Sequence, residues 1–381
     1  MNCNKKVFVF SYCFPNETNP QSGIFILNQC QQLAKLGLEI VILNVVSGKT
    51  FQPKIVKKKV DGLDILECTV LLAGQTHIPR LTIGIYYYFY CRLYKKAVSI
   101  FGKPDVMYAH FSFPTGFAVR KLSDRQRIPF VVMEHSSMFN GDKIPDYVKK
   151  QMSSLIKDAR AFMCVSESLK KSICSIAADA EEIVKIAHNA IDSGFEYTPR
   201  KDKKDFVVFS AGNLVPIKQY DLLIRAIEIL LRKGITIKLR IAGEGKERVK
   251  LEQLADLLNV RDNVIFLGRL PMEDIYKELE YCDAFALASK SETFGVAFRE
   301  AMFVGRPVIS FDNGGIREGW RDDYGLIVRN QTPEALAHGI EMIIDKYDGY
   351  DLEYISQSSR DCFSVGNIYP IILQALFIDN Y

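Results

Sequence analysis

Short runs rich in Val, Ile and Phe alternate with helix-period segments along this chain, and the alternation pauses once and then starts again. Strands separated by helical stretches can pair only through crossovers, so they demand a parallel sheet covered by helices. Val7–Phe10 opens the series, Phe25–Leu36 has the apolar spacing of a helix that Gly37 ends, and Ile40–Leu43 is the next strand. Further strands are predicted at Leu63–Leu66, Val106–Ala109, Phe130–Met133, Ala161–Val165 and Ile183–Ala187.

The pause is the polar, basic stretch Tyr197-Thr198-Pro199-Arg200-Lys201-Asp202-Lys203-Lys204, which reads as a linker. Beyond it strands are predicted at Phe206–Ser210, Ile237–Ala242, Val264–Leu267, Ala284–Leu287, Val308–Phe311 and Leu326–Val328. At 381 residues the chain is long for one domain. The expectation is therefore an α/β protein of two doubly wound, Rossmann-like domains, residues 1–195 and 196–362, with a terminal segment 363–381 whose helix Ile368–Phe377 follows the completed second sheet. Ligands of such sheets bind beyond the carboxyl ends of the strands, which makes a cleft between the domains the expected site.

Composition narrows the function. Apolar residues make up 48% and charged residues 25%, the balance of a globular protein, and a net charge of +4 does not favour a dedicated nucleic-acid binder. The nine cysteines include no C-x-x-C pair, so zinc ribbons, redox dithiols and a disulfide framework lack support and a reducing cytoplasm fits best. No apolar run reaches the roughly 20 residues of a membrane span, and Val7–Phe10 runs into polar Asn16, Glu17 and Thr18 rather than a secretory h-region. The basic run Lys54, Lys57, Lys58 and Lys59 reads as a solvated loop.

The most informative stretch runs from Ser289 to Pro307. It follows an apolar strand, and Gly295 permits close backbone approach where a helix should begin, placing free N–H groups and a positive dipole end at the strand's carboxyl edge. Gly305 closes that helix and Pro307 prevents its return. Glu292 lies before the helix and Glu300 about a turn and a half inside it, eight residues on. Carboxylates at that spacing suit sugar and ribose hydroxyls, since each accepts several hydrogen bonds; a helix-start Glu and a solvated helix Glu would look the same in isolation.

The stretch resembles the signature E-x-F/Y-G-x-x-x-x-E-A followed by G-x-P-V of the large retaining glycosyltransferase family of the GT-B fold, often called family four. The resemblance covers nearly the whole chain. Asn313-Gly314-Gly315-Ile316-Arg317-Glu318 is similar to the family's G-G-x-x-E loop, Ala242-Gly243-Glu244-Gly245 to its A-G-x-G strand end, and Phe266-Leu267-Gly268-Arg269-Leu270 to its F-x-G turn beside the base. Val165-Ser166-Glu167-Ser168 and Asn189-Ala190-Ile191-Asp192 resemble its V-S-x-x and N-G-V-D motifs. The resemblance implies that Glu300 binds the donor ribose and that Glu292 sits by the transferred sugar. It implies that Phe294, Gly295, Gly314 and Gly315 hold sugar and diphosphate, with Gly23, Gly243 and Leu270 also at the donor, and that the last helix crosses back to the first domain. His135, in Met133-Glu134-His135-Ser136, resembles the family's T-x-H-G position near donor sugar and acceptor, while Glu134 would point to the opposite side of its strand. His110 is a weaker candidate at another strand end, and His188 reads as structural.

Departures from the family refine these expectations. Ser22-Gly23 stands where paired glycines are usual. In Gly212-Asn213-Leu214-Val215-Pro216-Ile217-Lys218-Gln219, Asn213 replaces an Arg and Gln219 a Gly, leaving Lys218 as the one obvious cation for the leaving diphosphate. No D-x-D triplet closes a strand, because Asp322-Asp323 is adjacent and falls in a loop, so no metal and no other cofactor is expected. The expected partners are a UDP- or GDP-sugar and a glycan or polyprenyl-linked acceptor. Tyr86, Tyr87, Tyr88, Tyr90 and Tyr94, interleaved with Arg92, Lys95 and Lys96, would suit peripheral contact with an anionic membrane at its inner face, or simply an amphipathic core helix. Two other functions fit the same two-domain plan: a sugar-nucleotide epimerase or hydrolase, and a non-catalytic bilobal sugar-binding protein.

Overall fold

The computed structural model describes residues 5–15, 22–48, 53–71, 78–140, 144–191 and 194–377. Asp192, the last residue of the Asn189 motif, lies outside them, as do Asn16, Glu17 and Thr18. The chain forms two compact units, Met1–Ala190 with Ile368–Tyr381, and Ile191–Asn367.

The first unit contains β1 (Lys6–Ser11), α1 (Ile24–Lys35), β2 (Glu39–Gly48), β3 (Ile55–Val60), β4 (Leu63–Leu71), α2 (Pro79–Phe101), β5 (Val106–His110), α3 (Phe117–Gln126), β6 (Phe130–Glu134), α4 (Asp146–Asp158), β7 (Ala161–Cys164), α5 (Glu167–Cys174) and β8 (Val184–Ile186). Its sheet has the order β3-β4-β2-β1-β5-β6-β7-β8, parallel except for β3 against β4. The strand order reverses at β1 and β5, so the loops after these strands diverge to open a crevice at their carboxyl ends. Val7–Phe10, Val106–Ala109 and Phe130–Met133 are almost wholly excluded from solvent, as strands covered on both faces must be.

Two sequence expectations change here. Lys57, Lys58 and Lys59 of the lysine run lie not in a loop but in β3, the antiparallel edge strand, where Lys57 pairs with Asp64 at 3.3 Å and Lys58 with Glu67 at 2.9 Å; Lys54 precedes the strand. Its alternation of side chains was masked by charge, and lysines on an edge strand discourage pairing with another chain. Three of the five tyrosines of α2 turn away from its basic residues. Tyr86, Tyr90 and Tyr94 are buried, with Tyr90 set edge-on to Phe10 at 5.2 Å and Tyr94 to Phe8 at 6.0 Å, whereas Tyr88, Arg92, Lys95 and Lys96 face outward. Spacing of four residues puts one tyrosine set on the core side of the helix.

The second unit contains β9 (Phe206–Ala211), α6 (Tyr220–Arg232), β10 (Ile237–Ala242), α7 (Arg248–Leu257), β11 (Val264–Gly268), α8 (Met272–Tyr281), β12 (Ala284–Leu287), α9 (Val296–Phe303), β13 (Val308–Phe311), β14 (Gly325–Val328), α10 (Pro333–Asp345) and α11 (Leu352–Phe363). The sheet is parallel throughout in the order β11-β10-β9-β12-β13-β14, a Rossmann arrangement that reverses between β9 and β12. The basic linker is anchored to this unit: buried Asp283 accepts from Arg200 at 2.9 Å, Lys203 at 2.7 Å and the Val207 N–H at 2.7 Å. α12 (Val365–Phe377) starts three residues earlier than expected, and its Ile368, Tyr369, Ile372 and Leu376 are buried. Arg160 donates to the Leu376 carbonyl at 3.0 Å, fastening the helix to the first unit.

Candidate active site

In the second unit the site residues gather where the strand order reverses. Lys218 ends a short 3-10 turn after β9, and Glu292 lies in the loop after β12, the neighbouring strand. Their side chains meet, Nζ to Oε1, at 2.5 Å, although they stand 74 residues apart. The pair is mostly but not wholly sheltered, with the lysine side chain 21% and the glutamate 13% exposed. Lys218 is therefore not the free cation that the sequence suggests but one with a resident carboxylate partner. Gln219 adopts φ +47, a left-handed conformation that glycine accepts without strain, which accounts for the glycine usual at this position in the family.

The loop after β12 is joined to the loop after β13. The Glu292 N–H donates to the Asn313 carbonyl at 3.0 Å, and the Gly315 N–H donates back to the Glu292 carbonyl at 3.1 Å. A side chain at Gly315 would put its Cβ 2.8 Å from Glu292 Cβ and 2.9 Å from the Phe294 backbone, so glycine is what permits this approach. Gly314 has φ +84. Gly295, at φ +78, caps α9, and the Phe294 ring before it is buried edge-on to Phe363 at 5.5 Å. Glu292, Phe294, Gly295, Gly314, Gly315 and Lys218 thus form one cluster.

Arg299 supports the cluster from below, and nothing in the sequence motifs singles it out. The residue is fully buried, lies against the rings of Phe294 and Phe363, and gives one Nη2 to the carbonyls of Gly315 at 2.9 Å, Ile316 at 3.2 Å and Glu318 at 2.6 Å. Burial lowers its guanidinium to about 10, still cationic at neutral pH. A charged residue in the apolar register of a helix, between Phe298 and Met302, was the available signal.

Glu300, one residue on, is a part-buried residue whose carboxyl is raised by burial to about 7. Among the described residues it has no charged or hydrogen-bonding partner that shifts it the other way. A carboxylate largely kept from solvent without a partner costs stability, which is tolerable where a ligand supplies the missing donors. The remaining second-unit residues that the sequence assigns to the donor lie along the other loops of this edge. Gly243, at φ +147, is pressed so close to Gly212 that an added Cβ would overlap its carbonyl oxygen, and its N–H donates to Gly268 at 2.7 Å. Asn213 is exposed, and Leu270 lies two residues beyond Gly268, half-buried.

The first unit holds the other expected residues at its own point of reversal. Gly23, at φ +64, caps α1, and a Cβ there would come 2.2 Å from the Cys13 carbonyl oxygen; beside it Ser22 contacts Cys13 Sγ at 3.2 Å. His135 follows β6, packed against Phe25 of α1 at 4.5 Å between ring centres. Its Nε2 lies 3.0 Å from Nδ1 of His110, at the end of β5. Burial holds both imidazoles below their ordinary range, so both are neutral at physiological pH. Glu134 does not simply point away from His135. Its carboxylate is fully buried and curls back to accept from the backbone N–H groups of His135 at 2.8 Å, Ser136 at 2.7 Å and Ser112 at 2.7 Å, turning the chain at the strand end. His188 contacts the Val165 carbonyl oxygen at 2.9 Å through Nδ1. Among the described residues no three His, Cys, Asp or Glu side chains converge as a metal-ligand set, and no helix is long and apolar enough to cross a membrane.

Comparison with known proteins agrees with this geometry. Residues 197–360 match the family model described as glycosyl transferases group 1, and residues 22–195 match that described as glycosyltransferase family 4. An uncharacterized glycosyltransferase of Methanocaldococcus jannaschii is 27% identical over 71% of this chain and 74% of its own. One subunit of the human phosphatidylinositol N-acetylglucosaminyltransferase is 26% identical over 88% of this chain and 67% of its own. Among solved structures, Anabaena HepE in complex with UDP and glucose superposes with a TM-score of 0.74 at 18% identity, covering 97% of this chain and 98% of that one. Two half-chain matches in tandem on two parallel-sheet units, with the glycines and carboxylates of the signature at one sheet edge, place the chain among the GT-B glycosyltransferases of the family-four type.

Proposed function

We propose that this glycosyltransferase moves a hexosyl group from a UDP- or GDP-sugar to a lipid-linked glycan, with retention of anomeric configuration and without a metal. The observation that carries the reading is the Glu300 carboxylate, which has no partner among the described residues, in the helix that follows the Lys218–Glu292 pair, at the reversal point of a nucleotide-type sheet. Glu300 takes the ribose hydroxyls. The arriving diphosphate draws Lys218 towards its oxygens and frees Glu292 to meet the transferred sugar. Lys218, the N-terminus of α9 and the glycine-loop N–H groups then hold the charge that grows on the leaving diphosphate, the work a metal would otherwise do. The acceptor hydroxyl attacks from the face the diphosphate leaves, and a departing phosphate oxygen takes its proton.

A uridine donor is favoured by the likeness to HepE, which was solved with UDP and glucose. A lipid acceptor is favoured by the human relative, a phosphatidylinositol N-acetylglucosaminyltransferase. Tyr88, Arg92, Lys95 and Lys96, on the outward side of α2, suit contact with anionic headgroups. The test is incubation with a panel of UDP- and GDP-sugars and polyprenyl-linked acceptors, in chelator, with NMR of the product's anomeric centre. Retained configuration in the new glycoside is the expected outcome; neither transfer nor donor hydrolysis with any sugar nucleotide would sink the reading. An altered free sugar nucleotide would instead indicate an epimerase. Sedimentation with anionic vesicles at low salt tests the membrane contact, which absence of binding would remove.

A further inference from the structure

Carboxylates favour the first turn of a helix, yet α9 has no acidic residue there and has an arginine just beyond it. Arg299 is the fourth residue of the helix and is fully sealed from solvent. Side chains of a helix lean towards its N-terminus, so the guanidinium lies under Gly295, the N-cap. A Cβ added to Gly295 would come 3.5 Å from Arg299 Nη1. Nη2 serves three carbonyls of the turn after Gly314. Nε and Nη1, equally sealed, meet no partner among the described residues, and their N–H groups remain unspent beneath the helix start.

Packing alone does not call for this charge. An apolar side chain would fill the space between the Phe294 and Phe363 rings with no ion to desolvate. A cation near a helix N-terminus is also repelled by the dipole. An anion bound over Gly295 offsets both costs. The neighbouring charges point the same way. Two sheltered cations, Lys218 and Arg299, stand against two sheltered carboxylates, Glu292 and Glu318, and Arg299 is attracted by Glu318 first and by Glu292 second. Glu300, one residue on, ionises at about 7 and adds to the negative side above that pH. Lys290, in the loop before α9, is exposed and screened by salt. Without Arg299 the carboxylates would outnumber Lys218, and a polyanion would meet a negative site.

We propose that Arg299 is a positioning residue for the donor's diphosphate, a fixed buried positive charge that acts through the Gly295 backbone without touching the ligand. The signature E-x-F/Y-G-x-x-x-x-E-A leaves its position open. The diphosphate rests on the proposed function; the sealed, half-used guanidinium does not.

The test uses the full-length protein with UDP and uridine as probes, or GDP and guanosine where wild type prefers them. By calorimetry, Arg299→Met should weaken the nucleoside diphosphate roughly tenfold or more and the uncharged nucleoside by less than about threefold. Equal losses would make Arg299 a packing residue and overturn the proposal. Phosphorus-31 NMR of the bound diphosphate reads the charge itself. Its terminal phosphate should lose its last proton about one pH unit or more higher in Arg299→Met than in wild type, because a nearby cation favours the ionised form. An unchanged midpoint overturns the proposal. Where Arg299→Met does not fold, Glu318→Gln decides, since it removes the carboxylate that attracts Arg299 most and keeps its volume. Diphosphate binding should then tighten about threefold or more and the phosphate midpoint should fall; no change in either overturns the proposal. Failure of wild type to bind UDP and GDP alike would instead overturn the proposed function, whereas binding with the same diphosphate-to-nucleoside ratio in Arg299→Met overturns this inference alone.

Discussion

Each of the two sheets reverses its strand order once, and a glutamate stands near each reversal, yet the two are used in opposite ways. Glu134 in the first unit is sealed and accepts three backbone N–H groups, so its hydrogen-bonding capacity is largely spent on the chain. Glu300 in the second unit has no side-chain partner among the described residues, and its carboxyl is pushed up to about 7. Both are largely held from water, but one is a structural clamp and the other a partner in waiting. A buried carboxylate therefore indicates function by what it lacks rather than by its burial.

The largest effect that could break this contrast is on folding. Glu134→Ala strands two buried N–H groups, of Ser112 and His135, and the part-buried one of Ser136, and at about 1–3 kcal/mol for each buried group it should cost at least about 2 kcal/mol in denaturant unfolding. A loss under about 1 kcal/mol would mean the clamp is dispensable. In the second unit the penalty should fall on turnover instead. Lys218→Ala is expected to lower kcat at least roughly a hundredfold at saturating donor, as loss of a preorganised charge commonly does, with stability little changed. Near wild-type turnover would leave helix-end N–H groups alone to stabilise the leaving group.

Burial raises both carboxyls, but only Glu300 should carry that into a pH dependence of donor affinity, since Glu134 faces backbone N–H groups. Ribose hydroxyls need an ionised acceptor, so donor affinity measured by thermal shift should strengthen from about pH 6 to about pH 8, through about 7, and Glu300→Gln should flatten that rise while weakening binding roughly tenfold or more. Stability moves the other way. A carboxyl raised from 4.5 to about 7 in the folded chain withdraws stability as pH rises from about 4.5 to about 7, where the unfolded chain has ionised and the fold has not, by at most about 3 kcal/mol, and the loss levels off above that. Glu300→Gln should therefore unfold at higher temperature than wild type at about pH 8 and alike at about pH 4.5. The smallest expected effect is at Asn213, an exposed residue. Asn213→Arg should be tolerated, with donor Kd within about threefold of wild type or tighter; a large loss of affinity would mean that the loop does not accept a second cation there.

Most of the strands were legible because parallel strands buried on both faces are written as continuous Val, Ile and Phe runs. β3 was not, since an edge strand bearing Lys57, Lys58 and Lys59 has no such run. The carboxylate spacing of Glu292 and Glu300, the Gly295 helix start and the Gly314-Gly315 loop were also visible, because each belongs to one contiguous element. Arg299 was overlooked because a cation beside a helix glutamate ordinarily faces solvent, and only the three carbonyls gathered beneath it reveal where it goes.

By itself the sequence determined the two parallel-sheet units, the family and the residues that carry its signature, all of which depend on period, spacing and glycine placement along one stretch of chain. The tertiary structure alone decided who meets whom. Lys218 finds Glu292 because β9 and β12 are neighbours, although β10 and β11 come between them in sequence and lie on the far side of β9. His110 finds His135 because β5 lies beside β6, and Tyr86, Tyr90 and Tyr94 turn inward because α2 covers the sheet with that side. Hydrogen bonds and burial act over a few ångströms in space, and strand order, which sets those distances, is not written in any local run of residues.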